Sequence, residues 1–311
     1  MLEATVKKRK DEMKAQPTIG IISPGDMGHA LGAVLVQHDL RVLTNLQGRS
    51  ARTVALARQA GITDVGNNET LVREADMLLS VLVPAQAYAF AERIAAAMRA
   101  TGSTPLFADC NAVSPRTAKS IEHLLREVGA EVVDVGIIGA PPRAGSAETR
   151  LYASGPGAER LAVLGEYGLD VRVIGPQVGQ ASGLKMCYAS LTKGLTALAT
   201  QALTAAAALG LFETLTGELR ESQAELFGWF ERQVPRMPPK AYRWVGEMEE
   251  IARTFADVGL PPQMLEGAVA LYRLVEQTEL GMETPEERHR GQSLAEVTGI
   301  LAHALKKETA P

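Results

Sequence analysis

Short apolar runs alternate with amphipathic stretches through the first half of the chain. The amphipathic stretches, such as Ser50–Gly61 and Ser114–Gly129, have helical periodicity, whereas the apolar runs have the length and continuity of buried strands. This alternation predicts βαβ units on a parallel sheet. The predicted strands are Thr18–Ser23, Arg41–Asn45, Met77–Val83, Pro105–Asp109 and Glu131–Gly136, with edge strands near Leu151–Ser154 and Val171–Ile174.

The pattern changes at Pro176, after which strand signals nearly stop. A long apolar helix is predicted from Val178 to about Leu211, and further helices follow between prolines. We therefore expect an α/β domain followed by an all-α domain, joined by a long interdomain helix. The expected ranges are a flexible lead-in at residues 1–16, the α/β domain at residues 17–177 and the helical domain at residues 178–311.

Composition and charge exclude several classes of protein. The chain has 311 residues, of which 46% are hydrophobic and 22% charged, as is typical of a soluble protein of about two domains. A net charge of −4 gives no reason to expect nucleic acid or an anionic membrane as partner. The N-terminal segment lacks the apolar core of a signal peptide. Lys185 and Lys193 interrupt the most apolar stretch, so we expect a buried helix there rather than a membrane span.

Neither the cysteines nor the histidines indicate a metal site. Cys110 and Cys187 lie in apolar surroundings without CxxC spacing, and we interpret both as reduced core thiols of a cytoplasmic protein. The five histidines form no clustered ligand pattern.

A glycine turn follows the first predicted strand and opens a helix. Gly25 allows the backbone to approach a pyrophosphate, and Gly28 allows the helix to pack closely on the strand. The helix N-terminus adds free N–H groups and a positive dipole end. The first glycine of the usual G-x-G-x-x-G pattern is replaced by Ser23, so an ordinary strand–turn–helix stays open as an alternative. The turn predicts a Rossmann domain whose dinucleotide contacts include Ser23, Pro24, Gly25, Asp26, Met27 and Gly28.

The end of the second strand favours NADP(H) over NAD(H). NAD enzymes place a carboxylate there to bind the ribose 2′-hydroxyl, but residues 45–50 contain none. Arg49 presents guanidinium donors to a 2′-phosphate, Ser50 adds a hydroxyl, and Asn45 lies beside them. The alternative is that Arg49 and Ser50 only cap the next helix.

The chain resembles the β-hydroxyacid dehydrogenase family, which includes 3-hydroxyisobutyrate dehydrogenase and 6-phosphogluconate dehydrogenase. The C-terminal segment Pro238–Pro262 resembles the branch whose helical domain has no assigned function. Four segments in the expected order carry the family resemblance: IGIISPGDMG (Ile19–Gly28), VLVP (Val81–Pro84), DCNAVSP (Asp109–Pro115) and GQASGLKMCYASLTKG (Gly179–Gly194).

The resemblance implies a homodimer formed through the helical domain, a nicotinamide cofactor, a small-molecule substrate, and a cleft where the two domains meet. It makes Lys185 the catalytic general acid or base. The chain departs from the family's lysine motif at two positions. Ala181 stands where the family has its second glycine, and Ala189 stands where it has asparagine. Asn111 stands where the family has a substrate-binding serine, and Pro141-Pro142 replaces part of a glycine-rich turn. These departures imply a different substrate or lost catalysis.

The residues around the lysine motif predict the substrate contacts. Burial in an apolar helix lowers the pKa of a lysine, so Lys185 suits proton transfer, although a snorkelling or ion-paired lysine stays open. Tyr188 and Thr192 share its helix face, and Lys193 lies roughly on the same side, where it binds an anionic group or faces outward.

Two strand ends complete the predicted site. Asn111 and Ala112 follow the fifth strand at the edge where α/β sheets bind ligands, and Val83 and Pro84 line the nicotinamide site. The predicted function is an NADP(H)-dependent oxidoreductase that acts on a small polar alcohol or ketone, with a 3-hydroxy acid as one candidate substrate and Lys185 as the general acid or base. The alternatives are an imine reductase-like enzyme and a non-catalytic NADP-binding regulatory protein.

Overall fold

The computed structural model describes residues 16–142, 148–284 and 287–308. The predicted lead-in falls almost entirely outside these ranges. By their internal contacts the described residues form two compact units. The first comprises residues up to Leu82, Gln86–Asn111 and Thr117–Ala181, and the second comprises Val83–Ala85, Ala112–Arg116 and the chain from Ser182 onward.

An eight-stranded sheet organises the first unit of the described chain, in the order β3-β2-β1-β4-β5-β6-β7-β8. All neighbouring strands are parallel except β6 and β7, which pair antiparallel. The strands are β1 Ile19–Ile22, β2 Val42–Thr44, β3 Thr63–Asp64, β4 Met77–Ser80, β5 Leu106–Asp109, β6 Val132–Ile138, β7 Arg150–Ser154 and β8 Asp170–Gly175.

The helices between the strands cover the sheet. Strands β1, β4, β5 and β6 are buried throughout, which explains their uninterrupted apolar sequences. The helices that begin in this part of the chain are α1 Asp26–Gln37, α2 Ala51–Gln59, α3 Asn68–Glu74, α4 Pro84–Thr101, α5 Pro115–Arg126 and α6 Ala158–Ala162.

The second unit is helical. Its core is made by apolar side chains from several helices, among them the fully buried Tyr272. Its helices are α7 Gln180–Ala208, α8 Phe212–Ser222, α9 Ala224–Gln233, α10 Ala241–Asp257, α11 Gln263–Glu276 and α12 Leu294–Glu308. No helix in the described ranges combines the length and the apolar character that crossing a membrane requires.

The predicted α/β and all-α architecture is confirmed, and the predicted strands lie within a few residues of the observed ones. Strand β3 was not predicted, because its two residues are exposed and carry no apolar run. The contacts divide the chain at Ala181–Ser182, inside α7. Cys110 is a buried free thiol as expected, but Cys187 is exposed, so the prediction of a core position is wrong for Cys187.

Candidate functional site

The turn between β1 and α1 is sterically tight at Gly28 and open at Gly25. Ser23 adopts a left-handed conformation with φ of 64°, which explains why glycine is usual at this position. The Gly25 N–H donates to the Ser23 carbonyl at 2.8 Å. A Cβ on Gly28 would lie 2.5 Å from the Ser23 oxygen, whereas a Cβ on Gly25 would meet nothing within 4 Å. The turn therefore combines close helix packing with open space at Gly25, and it fits a dinucleotide phosphate.

Asp26 places a carboxylate in the first turn of α1. A negative charge is favourable at a helix N-terminus but repels a phosphate bound there. Arg52, in the first turn of α2, forms an ion pair with Asp26 at 2.5 Å. This pair offsets the Asp26 charge and joins the glycine turn to the segment that follows β2.

Two of the predicted cofactor residues in the loop after β2, Asn45 and Ser50, make structural hydrogen bonds. The Asn45 amide donates to the Asn68 side chain at 2.9 Å and accepts from the Gln47 N–H at 3.0 Å. Ser50 is the N-cap of α2, because its hydroxyl accepts from the Thr53 N–H at 3.2 Å. Ser50 therefore caps the helix, as the alternative interpretation expected. A contact between Ser50 and a 2′-phosphate stays a prediction.

Arg49 has a different environment. Its guanidinium lies over the ring of Phe90, 5.2 Å from the centroid. Burial and the nearby charge of Arg93 lower the pKa of Arg49. The sequence pattern did not indicate Phe90 or Arg93, which lie on α4, more than forty residues after Arg49.

Asn111 joins the ends of two strands. Its amide oxygen accepts from the Leu82 N–H at 2.5 Å, and its amide nitrogen donates to Ser80 at 3.1 Å and to Asp109 at 2.5 Å. The side chain is buried, and its hydrogen bonds connect the ends of β4 and β5. Its predicted contact with substrate or nicotinamide stays a prediction.

Three other predicted residues lie in the segments that group with the helical unit. Val83 and Pro84 are half-buried, and Pro84 is the first residue of α4. Ala112 packs against the apolar core of the helical unit.

Buried polar groups hold the beginning of α7. Asp134, on β6, accepts from the Gly179 N–H at 2.8 Å and from the Ser154 hydroxyl at 3.2 Å. Ser154 in turn accepts from the Ala181 N–H at 2.9 Å. These acceptors satisfy backbone donors at the start of the helix that carries the lysine motif.

Lys185 is half-buried in a cluster of charged side chains. Burial lowers its pKa to about 8, with Lys193 and Arg243 acting in the same direction and Glu247 opposing them. Lys193 forms an ion pair with Glu247, and these side chains are only 12% and 14% exposed. Burial acts to raise the pKa of Glu247, but the surrounding cations, chiefly Lys193, hold it below its ordinary value.

Two aromatic rings surround the Lys193–Glu247 pair. The Lys193 ammonium lies 5.4 Å from the ring centroid of Trp244, and Trp244 contacts Tyr272 edge-to-face at 5.3 Å. The Tyr272 hydroxyl donates to the Lys193 carbonyl at 2.6 Å. Lys193 is therefore engaged with α10 and α11, and its predicted contact with a substrate anion stays a prediction.

The remaining two predicted residues on α7 lie closer to solvent. Tyr188 is 48% exposed, and Thr192 is half-buried with its hydroxyl near the Tyr188 carbonyl at 3.4 Å. Their roles toward substrate stay predictions. Sequence reasoning missed Glu247 as a partner, although it lies in the acidic run GEMEE of α10. In the described part of the chain, no group of three His, Cys, Asp or Glu residues is arranged to hold a metal ion.

Two family descriptions match separate parts of the chain. Residues 18–165 match the NAD binding domain of 6-phosphogluconate dehydrogenase. Residues 206–275 match a domain of unknown function, DUF1932. An uncharacterized 28.5 kDa protein of Methanothermus fervidus, from the 7S RNA 5′ region, is 30% identical over 209 residues, which span 67% of this chain and 78% of that protein.

Solved structures share the architecture along most of the chain. One is a conserved protein of unknown function described as similar to 3-hydroxyacid dehydrogenases. It is 29% identical, with a TM-score of 0.63 over 85% of this chain and 98% of that one. The 3-hydroxyisobutyrate dehydrogenase of Mycobacterium tuberculosis, solved with L-serine, is 17% identical. Its TM-score is 0.68 over 94% of this chain and 100% of that one.

Proposed function

Because the chain belongs to the β-hydroxyacid dehydrogenase family, in the branch with the C-terminal domain of unknown function, we propose that it is an NADP(H)-dependent oxidoreductase. Its proposed substrate is a small polar alcohol or the corresponding ketone, with 3-hydroxy acids as the first candidates. The observation that carries the proposal is the half-buried amine of Lys185, whose pKa is lowered to about 8.

Lys185 handles the substrate proton in this proposal. Reduction of a carbonyl adds a hydride to carbon and a proton to oxygen, and oxidation of the alcohol removes both. When bound, the nicotinamide supplies or accepts the hydride. The Lys185 ammonium donates its proton to the carbonyl oxygen in reduction, and the neutral amine accepts the hydroxyl proton in oxidation. A pKa of about 8 keeps both forms available near neutral pH.

The loop after β2 supports the preference for NADP(H). Residues 45–50 carry no carboxylate that would repel a 2′-phosphate. The guanidinium of Arg49 supplies hydrogen-bond donors that suit a phosphate. Asp64, on β3, accepts a hydrogen bond from the Leu46 N–H of this loop at 3.1 Å and another from the Gly66 N–H, after β3, at 3.0 Å.

The first experiment separates binding from catalysis. Titrations with NADPH and NADH measure both affinities, and turnover is then assayed across hydroxy acids, ketones and aldehydes. We expect Lys185→Ala to retain cofactor binding and to lose at least about 100-fold in kcat. Lys119→Ala, which removes an exposed lysine on α5, is the matched control. If Lys185→Ala turns over a substrate as fast as the unmodified protein, the proposed role of Lys185 is wrong.

Imine reduction is the second candidate. It is favoured by Ala189, a buried alanine where the family's lysine motif has asparagine, so one polar contact of the alcohol enzymes is missing. Adding cyclic imines to the panel tests it, because turnover of imines without turnover of ketones would change the reaction class. NADPH binding without any turnover would instead support a regulatory protein.

A stripe of exposed apolar side chains on α7 supports a homodimer. They recur at intervals of four and three residues, so they lie on one face of the helix. A water-exposed apolar stripe of this length is typical of a contact surface. We propose that a second copy of the chain covers the α7 stripe, which consists of Leu184, Tyr188, Leu191, Leu195 and Leu198.

A further inference from the structure

Two arginines contact one phenylalanine ring on α4, the helix that follows β4. The guanidinium carbons of Arg49 and Arg93 lie 5.2 Å and 6.0 Å from the ring centroid of Phe90. Arg49 comes from the loop after β2, whereas Phe90 and Arg93 lie three residues apart on α4 and so share one helix face. The three side chains form an arginine–phenylalanine cluster that joins the two segments.

The cluster brings like charges together. Burial, together with the charge of Arg93, lowers the pKa of Arg49. Within the described ranges, neither guanidinium lies at ion-pair distance from a carboxylate. Two guanidinium groups near one ring repel each other. The attraction of each cation to the ring quadrupole offsets part of this repulsion, and a bound anion would offset more. The arrangement is therefore suited to a doubly charged anion.

Sheet topology decides which anion can reach the cluster. Strands β2 and β4 pair with β1 on opposite sides, so the segments that follow them flank the carboxyl end of β1. The glycine turn begins at that same end. In open α/β sheets this edge receives the dinucleotide, with its ribose beside the end of the second strand.

We propose that Arg93 is a second arginine of the 2′-phosphate site, binding the phosphate together with Arg49 while Phe90 positions both guanidinium groups. The inference rests on the proposed use of NADP(H). Guanidinium groups bind phosphate oxygens through paired, charge-assisted hydrogen bonds, and two of them match the charge of a phosphate dianion. Arg93 thereby becomes a determinant of cofactor choice that lies outside the segment after β2.

Dissociation constants for NADPH, NADH and adenosine 2′-monophosphate test the proposal. We expect Arg93→Gln to weaken NADPH and adenosine 2′-monophosphate at least about tenfold and NADH less than about twofold. Arg93→Lys keeps the charge but loses the planar pair of donors. Its affinity for NADPH is expected to lie between those of the unmodified protein and Arg93→Gln. Arg99→Gln, on the same helix and also exposed, is the matched control and is expected to bind as the unmodified protein does.

The outcomes distinguish this inference from the proposed function. If the unmodified protein binds NADPH no more tightly than NADH, the proposed cofactor preference fails and the Arg93 assignment fails with it. If Arg49→Gln loses NADPH affinity but Arg93→Gln does not, only the Arg93 assignment is wrong. Equal weakening of NADPH and NADH by Arg93→Gln, with an unchanged thermal unfolding midpoint, would also overturn it, because the contact would then be with a part common to both cofactors.

Discussion

Lys185 couples the proposed reaction to pH. Its pKa is lowered to about 8, so the ammonium predominates below that pH and the neutral amine above it. Reduction requires the ammonium, and we expect kcat/KM for reduction to fall as the pH rises through about 8. Oxidation requires the amine, and its kcat/KM is expected to rise through the same region. Rates measured in both directions check this. Parallel profiles in the two directions would contradict a lysine that donates in one and accepts in the other.

Gly28 is the residue at which the phosphate turn is sterically tightest. Gly28→Ala would place a Cβ 2.5 Å from the Ser23 carbonyl, so the turn must move. We expect a loss of about 1–3 kcal/mol in the free energy of unfolding, together with weaker NADPH binding.

Gly25→Ala provides the comparison for this prediction. The added methyl has open space, so we expect its effect on stability to stay below about 1 kcal/mol. It lies where the backbone approaches the pyrophosphate, so NADPH binding is expected to weaken. Urea unfolding and cofactor titration measure the two effects. Equal losses of stability in the two variants would show that the Gly28 contact is relieved easily.

At the scale of elements, the Lys193–Glu247 ion pair connects α7 to α10. Because both side chains are largely buried, Glu247→Gln leaves a cation without its partner and is expected to cost about 3–5 kcal/mol. Lys193→Met is expected to cost a similar amount. The double variant is expected to cost less than the sum of the two, because neither member of the pair is then left without the other. Urea unfolding of all four proteins gives the coupling, and simple additivity would contradict it.

The same two substitutions are expected to move the pH midpoint of Lys185 in opposite directions. Lys193 lowers the pKa of Lys185, so Lys193→Met raises the midpoint. Glu247 raises that pKa, so Glu247→Gln lowers the midpoint. A role confined to stability would leave both midpoints unchanged.

At the scale of the whole molecule, the α7 stripe determines the oligomeric state in our proposal. Leu191 and Leu198 are its most exposed members, at 65% and 59%. We expect a dimer for the unmodified protein and a monomer for the double variant Leu191→Glu/Leu198→Glu, because burying two carboxylates at the interface is strongly unfavourable. Sedimentation velocity measures both masses. Leu260→Glu, at an exposed apolar position outside α7, is the control; a double variant that remained dimeric would exclude this face.

An element can be predicted from the sequence when the interactions that form it involve residues close together in the chain. Strand β5 could be recognised because full burial on both faces requires a continuous apolar run. Strand β3 could not, since its two exposed residues become a strand only by pairing with β2. Helical spacing predicts Lys185 and Thr192 on one side of α7, and the structure contains both residues in one continuous helix. Spacing gave no information on the exposure of Tyr188 or Cys187, which depends on what packs against the helix.

The amino-acid sequence by itself determined the order of the apolar strands, the change from α/β to all-α, and the residue types at the turn and on the long helix. These features depend on local periodicity, backbone conformation and the side chains within one element. Only the tertiary structure decided that Glu247 pairs with Lys193, that Phe90 joins Arg49 to Arg93, and that Asn111 bonds within the sheet. Such contacts join residues far apart in the chain, and they depend on packing geometry, which no local spacing contains.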